Sequence, residues 1–160
     1  MKGIFLTGDK GVGKSTIVKN LMQHFPGYGF LTSFDSSKSE LILKIIGGQS
    51  FLIARRNSTG KMEPVITGFD SVARKLEEFD PGEQLLIIDE LGSLELCCKK
   101  FQEEVKNLLL KSRFFLCVIQ KRENEFIKSL LKIEDTTLIT VTKTNRNYLV
   151  NLLFEKIKGS

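Results

Sequence analysis

The sequence predicts an α/β fold: a mostly parallel sheet flanked by helices, with an antiparallel hairpin at one edge. Three observations predict it. A short apolar run, Lys2 to Thr7, enters a glycine-rich loop and leaves it as an amphipathic segment, Ser15 to Met22, with Ile17, Val18 and Leu21 on one face. A second apolar run, Leu85 to Ile88, ends in the acidic pair Asp89–Glu90, as a strand buried on both faces would. Strand-like and helix-like segments then alternate to the end of the chain, the pattern of helices packed on a parallel sheet.

Taken in order, Pro26–Gly27 breaks the first helix, and Tyr28 to Phe34 reads as the second strand. Glu40 to Ile46 and Ser50 to Arg56 flank Gly47-Gly48-Gln49, the spacing of a hairpin. Asp70 is positioned to cap a helix through Phe79, with Val72, Leu76 and Phe79 on one side. Leu94 to Lys111 reads as one long helix, Arg113 to Gln120 as a strand and Glu123 to Leu131 as a helix. Thr136 to Val141 reads as the last strand. Asn145 to Ile157 reads as the closing helix, with Leu149, Leu152, Leu153 and Phe154 inward.

Composition bounds the function. At 160 residues, with 41% hydrophobic and 27% charged residues, the chain is expected to form one domain, 1–160, with a substantial core. No apolar run approaches the ~18 residues a membrane helix needs, so no membrane partner is expected and the cytoplasm is the default location. Three cysteines and one histidine are too few for a disulfide framework, a zinc site or a Ser-His-Asp triad. Cys97 and Cys98 read as core filler. The net charge of +5 suits a protein that binds polyanionic nucleotides, and the scattered basic residues do not form the clustered patch of a nucleic-acid binder.

The loop Gly8-Asp9-Lys10-Gly11-Val12-Gly13-Lys14-Ser15 fits Gly-x-x-x-x-Gly-Lys-[Ser/Thr], the P-loop, and Thr16 extends it into the helix. Its glycines admit the backbone close to a phosphate, successive N–H groups form an anion nest, and the helix adds its positive end. Lys14 can reach the β- and γ-phosphates of a nucleoside triphosphate, and Ser15 can offer its hydroxyl to Mg²⁺. Asp89 should emerge at the same rim as the loop, because parallel strands end together, and it too can hold Mg²⁺. Glu90 can orient or deprotonate an attacking water. Arg55, Arg56, Arg113, Arg122 and Arg146 are candidates for a cation on the γ-phosphate, with Arg122 favoured by its place just past a strand end. A small-molecule or nucleotide kinase would use the same loop, and so would a non-catalytic nucleotide switch. The intact Lys14, Ser15, Asp89 and Glu90 set favours turnover.

With these residues in view, the chain resembles the THEP1-type nucleoside triphosphatases. The likeness lies in Gly8 to Thr16, in Gly29-Phe30-Leu31-Thr32, in Ile88-Asp89-Glu90-Leu91-Gly92-Ser93-Leu94-Glu95-Leu96, and in Thr142 to Arg146. The resemblance implies a RecA-like sheet and slow, Mg²⁺-dependent hydrolysis of ATP, GTP and other nucleoside triphosphates. It also implies that Leu86, Ile87, Ile88, Asp89, Glu90, Leu91, Gly92 and Ser93 line the nucleotide site. Three departures stand out: Ser93 replaces a family lysine, Asp9–Lys10 replaces a Pro-Gly-like pair, and Lys61 to Thr67 lacks a typical family segment.

Overall fold

In the computed structural model, which describes residues 1–160, strand Gly3–Thr7 (β1) is buried along its length and leads through the glycine loop into helix Lys14–Met22 (α1). Strands Gly27–Phe34 (β2), Glu40–Ile45 (β3), Ser50–Arg56 (β4) and Met62–Pro64 (β5) follow, then helix Ile66–Glu77 (α2) and strand Leu85–Leu91 (β6). A 3₁₀ turn at Leu94–Cys97 precedes helix Lys99–Lys111 (α3), strand Phe115–Ile119 (β7) and helix Glu125–Leu131 (α4). Strand Thr136–Thr140 (β8) and helix Arg146–Lys158 (α5) complete the chain.

All eight strands join one sheet in the order β5-β4-β3-β2-β6-β7-β1-β8. From β2 to β8 the pairings are parallel, whereas β3, β4 and β5 add an antiparallel edge. The continuous apolar runs are required because both faces are covered. Phe5, Ile88, Phe115 and Cys117 face one core with Phe69 and Val72 of α2, Phe101 and Val105 of α3, and Phe126 of α4. Ile4, Leu6, Ile87, Leu116 and Val118 face the other with Ile17 and Leu21 of α1 and Leu149 and Leu153 of α5. Phe101 stands at the centre of the first core, its ring 5.8 Å from Phe30 and 5.1 Å from Phe69. Leu152 and Phe154, expected inward, are only half-buried.

Two expectations are corrected. Helix α2 begins at Ile66, a turn earlier than an Asp70 cap would allow, and Val65 occupies the cap position. Pro64 lacks the N–H to continue the ladder, and the earlier start buries Phe69 completely. Asp70 lies inside the helix, where its Oδ1 accepts from the Cys98 thiol at 3.2 Å. The single helix expected from Leu94 to Lys111 is broken at Cys98, whose backbone is extended at φ −134°, ψ 99°. The break has a visible cause. The Glu95 carboxylate turns back to accept the Gly92 N–H at 2.8 Å, and Gln102 Nε2 donates to the Glu95 carbonyl at 2.9 Å. These bonds hold the 3₁₀ turn against the end of β6. A Cβ at Gly92 would meet the end of the Gln120 side chain, so a larger residue there would push that amide aside. Of the adjacent cysteines, Cys98 fills core space and Cys97 is exposed.

Glu95 is 4% exposed, and burial raises its carboxyl from an ordinary 4.5 to about 7. The folded protein therefore holds this proton more tightly than the unfolded chain, so its contribution to stability falls as pH rises from about 4.5 to about 7. Glu95→Gln keeps an acceptor for Gly92 and removes the titration. Thermal melts between pH 4.5 and 8 are expected to show the variant gaining on the wild type as pH rises.

Candidate active site

The glycine loop turns on residues with left-handed backbones: Gly8 at φ 146°, Gly11 at φ 82° and Gly13 at φ 109°. Gly13 occupies the cap position of α1 with no side-chain cap, so the first N–H groups of the helix face the loop's concavity. The Lys14 ammonium folds back on the loop, donating to the carbonyls of Gly8 at 2.7 Å and Asp9 at 2.9 Å. An arriving phosphate can exchange for these carbonyls.

Because β1 and β6 run parallel with β7 between them, the ends of all three meet beside this loop. Asp89, 7% exposed, lies at this rim with Ser15 on the wall of the same cleft. Burial raises the Asp89 carboxyl to about 6, and the Glu90 charge adds to the rise. The nearby Ser15 hydroxyl and the Lys14 and Lys19 charges oppose it without cancelling it. The β6–β7 register passes from Asp89 to Leu91 and skips Glu90, and the Asp89–Glu90 peptide is cis. Thr32 of β2 holds the pair from the other side: its hydroxyl donates to the Asp89 carbonyl and accepts the Glu90 N–H, both at 3.2 Å.

Two adjoining clefts open on this rim. One, of about 330 Å³, is bounded by Gly11, Gly13, Lys14, Ser15, Thr16, Thr32, Asp89 and Glu90. The other, of about 460 Å³, is bounded by Gly8, Asp9, Glu90, Gln120, Lys121 and Arg122. Lys10, Lys14, Phe34 and Glu90 belong to both. Gln120 Nε2 donates to Glu90 Oε1 at 3.4 Å, and Lys121 Nζ pairs with Asp9 at 3.0 Å. Lys10 Nζ stands 5.9 Å from the ring centre of Phe34. A more apolar cleft of about 410 Å³, lined by Phe25, Leu85, Phe114 and Ile157, opens at the opposite end of the parallel strands. It includes neither the glycine loop nor Lys14, Ser15, Asp89 or Glu90.

Several anticipated residues lie elsewhere. Leu86, Ile87, Ile88 and Leu91 are fully buried in the sheet; Gly92 and Ser93 border neither cleft. Val12 is buried beneath the loop. Among the arginines, Arg122 alone borders the clefts. Arg55 pairs with Glu40, Arg56 donates to the Lys38 and Gly60 carbonyls, and Arg113 pairs with Glu83 at the far end of the sheet. Arg146 rests on the loop, with Nη1 3.4 Å from the Val12 carbonyl. Gln120 and Lys121 were not singled out from the sequence. The available signal was a polar residue closing a buried strand at the same rim as Asp89.

Comparison with known proteins bears on family and fold. The NTPase family model matches residues 3–154. Among curated relatives, the nucleoside-triphosphatase THEP1 of Thermotoga maritima is 26% identical over 97% of this chain and 95% of its own length. The cancer-related nucleoside-triphosphatase homolog of Bos taurus is 26% identical over 98% and 97%. Two solved structures share the fold. The crystal structure of THEP1 from Aquifex aeolicus superposes with a TM-score of 0.81 at 21% identity, covering 97% of this chain and 98% of that one. The solution structure of a human cancer-related nucleoside triphosphatase gives 0.82 at 22% identity, covering 100% and 99%. A glycine loop and an acidic strand end on one rim, with a family match over nearly the whole length, establish that this chain belongs to the THEP1-type NTPase family.

Proposed function

We propose that residues 1–160 act as one P-loop domain that hydrolyses nucleoside triphosphates, among them ATP and GTP, to nucleoside diphosphate and phosphate with Mg²⁺. The observation that carries this reading is the convergence of Ser15, Asp89, Glu90 and Lys14 on one cleft beside the glycine loop. Both Ser15 and Asp89 offer hard oxygen donors, which fit Mg²⁺ held by a few protein ligands together with phosphates and water. When bound, the ion would offset charge on the β- and γ-phosphate oxygens.

The remaining work falls to this chain's own groups. The loop amides and the end of α1 hold the phosphates, and Lys14 leaves its carbonyl partners to bridge the β- and γ-oxygens. Glu90 accepts a proton from water as the water oxygen attacks the γ-phosphorus. The bond from that phosphorus to the β–γ bridging oxygen breaks, and the diphosphate leaves with that oxygen. Gln120 holds the Glu90 carboxylate through one of its oxygens, and Thr32 fixes the Glu90 backbone. Arg122 borders the same cleft and can approach the transferred phosphoryl group. Three free thiols accord with a reducing, cytoplasmic setting.

Phosphate release with each of the four nucleoside triphosphates tests the reading directly. Steady release with Mg²⁺, abolished by chelator and independent of any hydroxyl acceptor, is expected; release only with an acceptor would make the protein a kinase. Glu90→Gln is expected to retain nucleotide while turnover falls about 10²–10⁴-fold, the range for a lost general base. Wild-type rates in that variant would remove the role. Lys14→Ala should weaken nucleotide binding and turnover together. Because Asp89 carries its proton until about pH 6 and a metal must displace it, the Mg²⁺ concentration for half-maximal rate should climb as pH falls below about 6 and level off above 7.

A further inference from the structure

Along the rim of the parallel sheet the spatial order is β6, β7, β1, β8. Asp89 and Glu90 end β6, Gln120 and Arg122 follow β7, the glycine loop follows β1, and residues 141–146 follow β8. Under the hydrolase reading above, the γ-phosphate lies at the β6–β7 side, where Ser15 meets Asp89. A triphosphate laid across the loop then leads its nucleoside toward β8.

The segment after β8 is built onto the loop. The Val141 N–H donates to the Thr7 carbonyl at 2.7 Å. The Asn145 side chain closes the turn, its Oδ1 accepting the Thr142 N–H at 2.7 Å and its Nδ2 donating to the Thr140 carbonyl at 3.0 Å. Arg146 follows at the start of α5. Its Nη1 donates to the Val12 carbonyl, and its side chain runs 3.2 Å from where a Gly13 Cβ would stand. The Arg146 side chain borders neither phosphate cleft, and its Nη1 lies 3.6 Å from where a Gly13 Cβ would stand. Residues 140–149 contain no carboxylate, and the Thr142 and Thr144 hydroxyls are bonded to each other.

We propose that Arg146 stacks its guanidinium on the nucleobase of the bound nucleotide, and that this contact accepts all four bases. A planar cation held at one nitrogen by the Val12 carbonyl suits stacking, since every base offers a π-face. Discrimination would need donors and acceptors aimed at base edges. Guanine reading in particular would call for a carboxylate, which the turn does not contain. Asn145 is then a positioning residue for Arg146.

The test is equilibrium binding with Mg²⁺ of ADP, GDP, CDP and UDP, with pyrophosphate as the probe that has no base. Arg146→Ala and Arg146→Lys are both expected to weaken the four diphosphates about tenfold, within the range for one lost base stack, and to leave pyrophosphate binding and kcat at saturating triphosphate unchanged. Lysine keeps the charge and loses the plane, so rescue by Arg146→Lys would overturn stacking. A parallel loss of pyrophosphate would make Arg146 a phosphate contact, a fall in kcat would make it a γ-phosphate cation, and a loss confined to one base would make it an edge reader; each overturns the proposal. Tyr148, 66% exposed and two residues along α5, points from a different side of the helix, so Tyr148→Ala serves as the control with unchanged affinity. Arg146-dependent diphosphate binding without any phosphate release by the wild type would sink the hydrolase reading and keep this one. Release with binding indifferent to Arg146 would do the reverse.

Discussion

Parallel pairing of β6, β7, β1 and β8 is the constraint on which the rest of the molecule depends. In a parallel sheet every strand ends at the same rim, so groups far apart in sequence arrive together without a dedicated contact between them. Ser15 meets Asp89 because β7 is inserted between β1 and β6 in register, Phe5 opposite Cys117 and Ile88 opposite Cys117. That register is fixed by apolar side chains on both faces, since a slip of one residue would exchange the two cores.

The rim holds its charges in partnerships that substrate would have to replace. Lys14 bonds carbonyls of its own loop, Lys121 is paired with Asp9, and Lys10 stands over Phe34. The acid that Asp9 brings near the phosphates is thereby balanced by a neighbour from β7's end. Asp89 is different: buried at the rim, it carries a raised carboxyl that a cation would relieve. Exposed pairs of the first kind contribute little to stability. Their exchange for phosphate oxygens costs correspondingly little.

Much of this was legible in the chain. The P-loop spacing, the apolar run into Asp89–Glu90 and the hairpin around Gly47–Gly48 each rest on local chemistry, glycine φ freedom or the period of side-chain burial, and each appears where its residues indicate. Helix boundaries were less legible. Asp70 looks like a cap and is an interior residue, because burying Phe69 outweighs a cap preference worth about 1 kcal/mol. Leu94 to Lys111 has one helical period, but Glu95 reaching back to Gly92 divides it, and no periodicity reports a side chain that bonds against its own turn.

By itself, then, the sequence determined the layered α/β class, the glycine loop and the acidic strand end, since these follow from backbone freedom and hydrophobic period within short windows. Tertiary structure alone decided which partners those elements meet. Thr32 gripping the Asp89–Glu90 backbone, Gln120 on Glu90, Lys121 on Asp9 and Arg146 on Val12 link residues from 30 to 134 positions apart. Such contacts exist only after strand order is set, and strand order is a property of both cores filling at once.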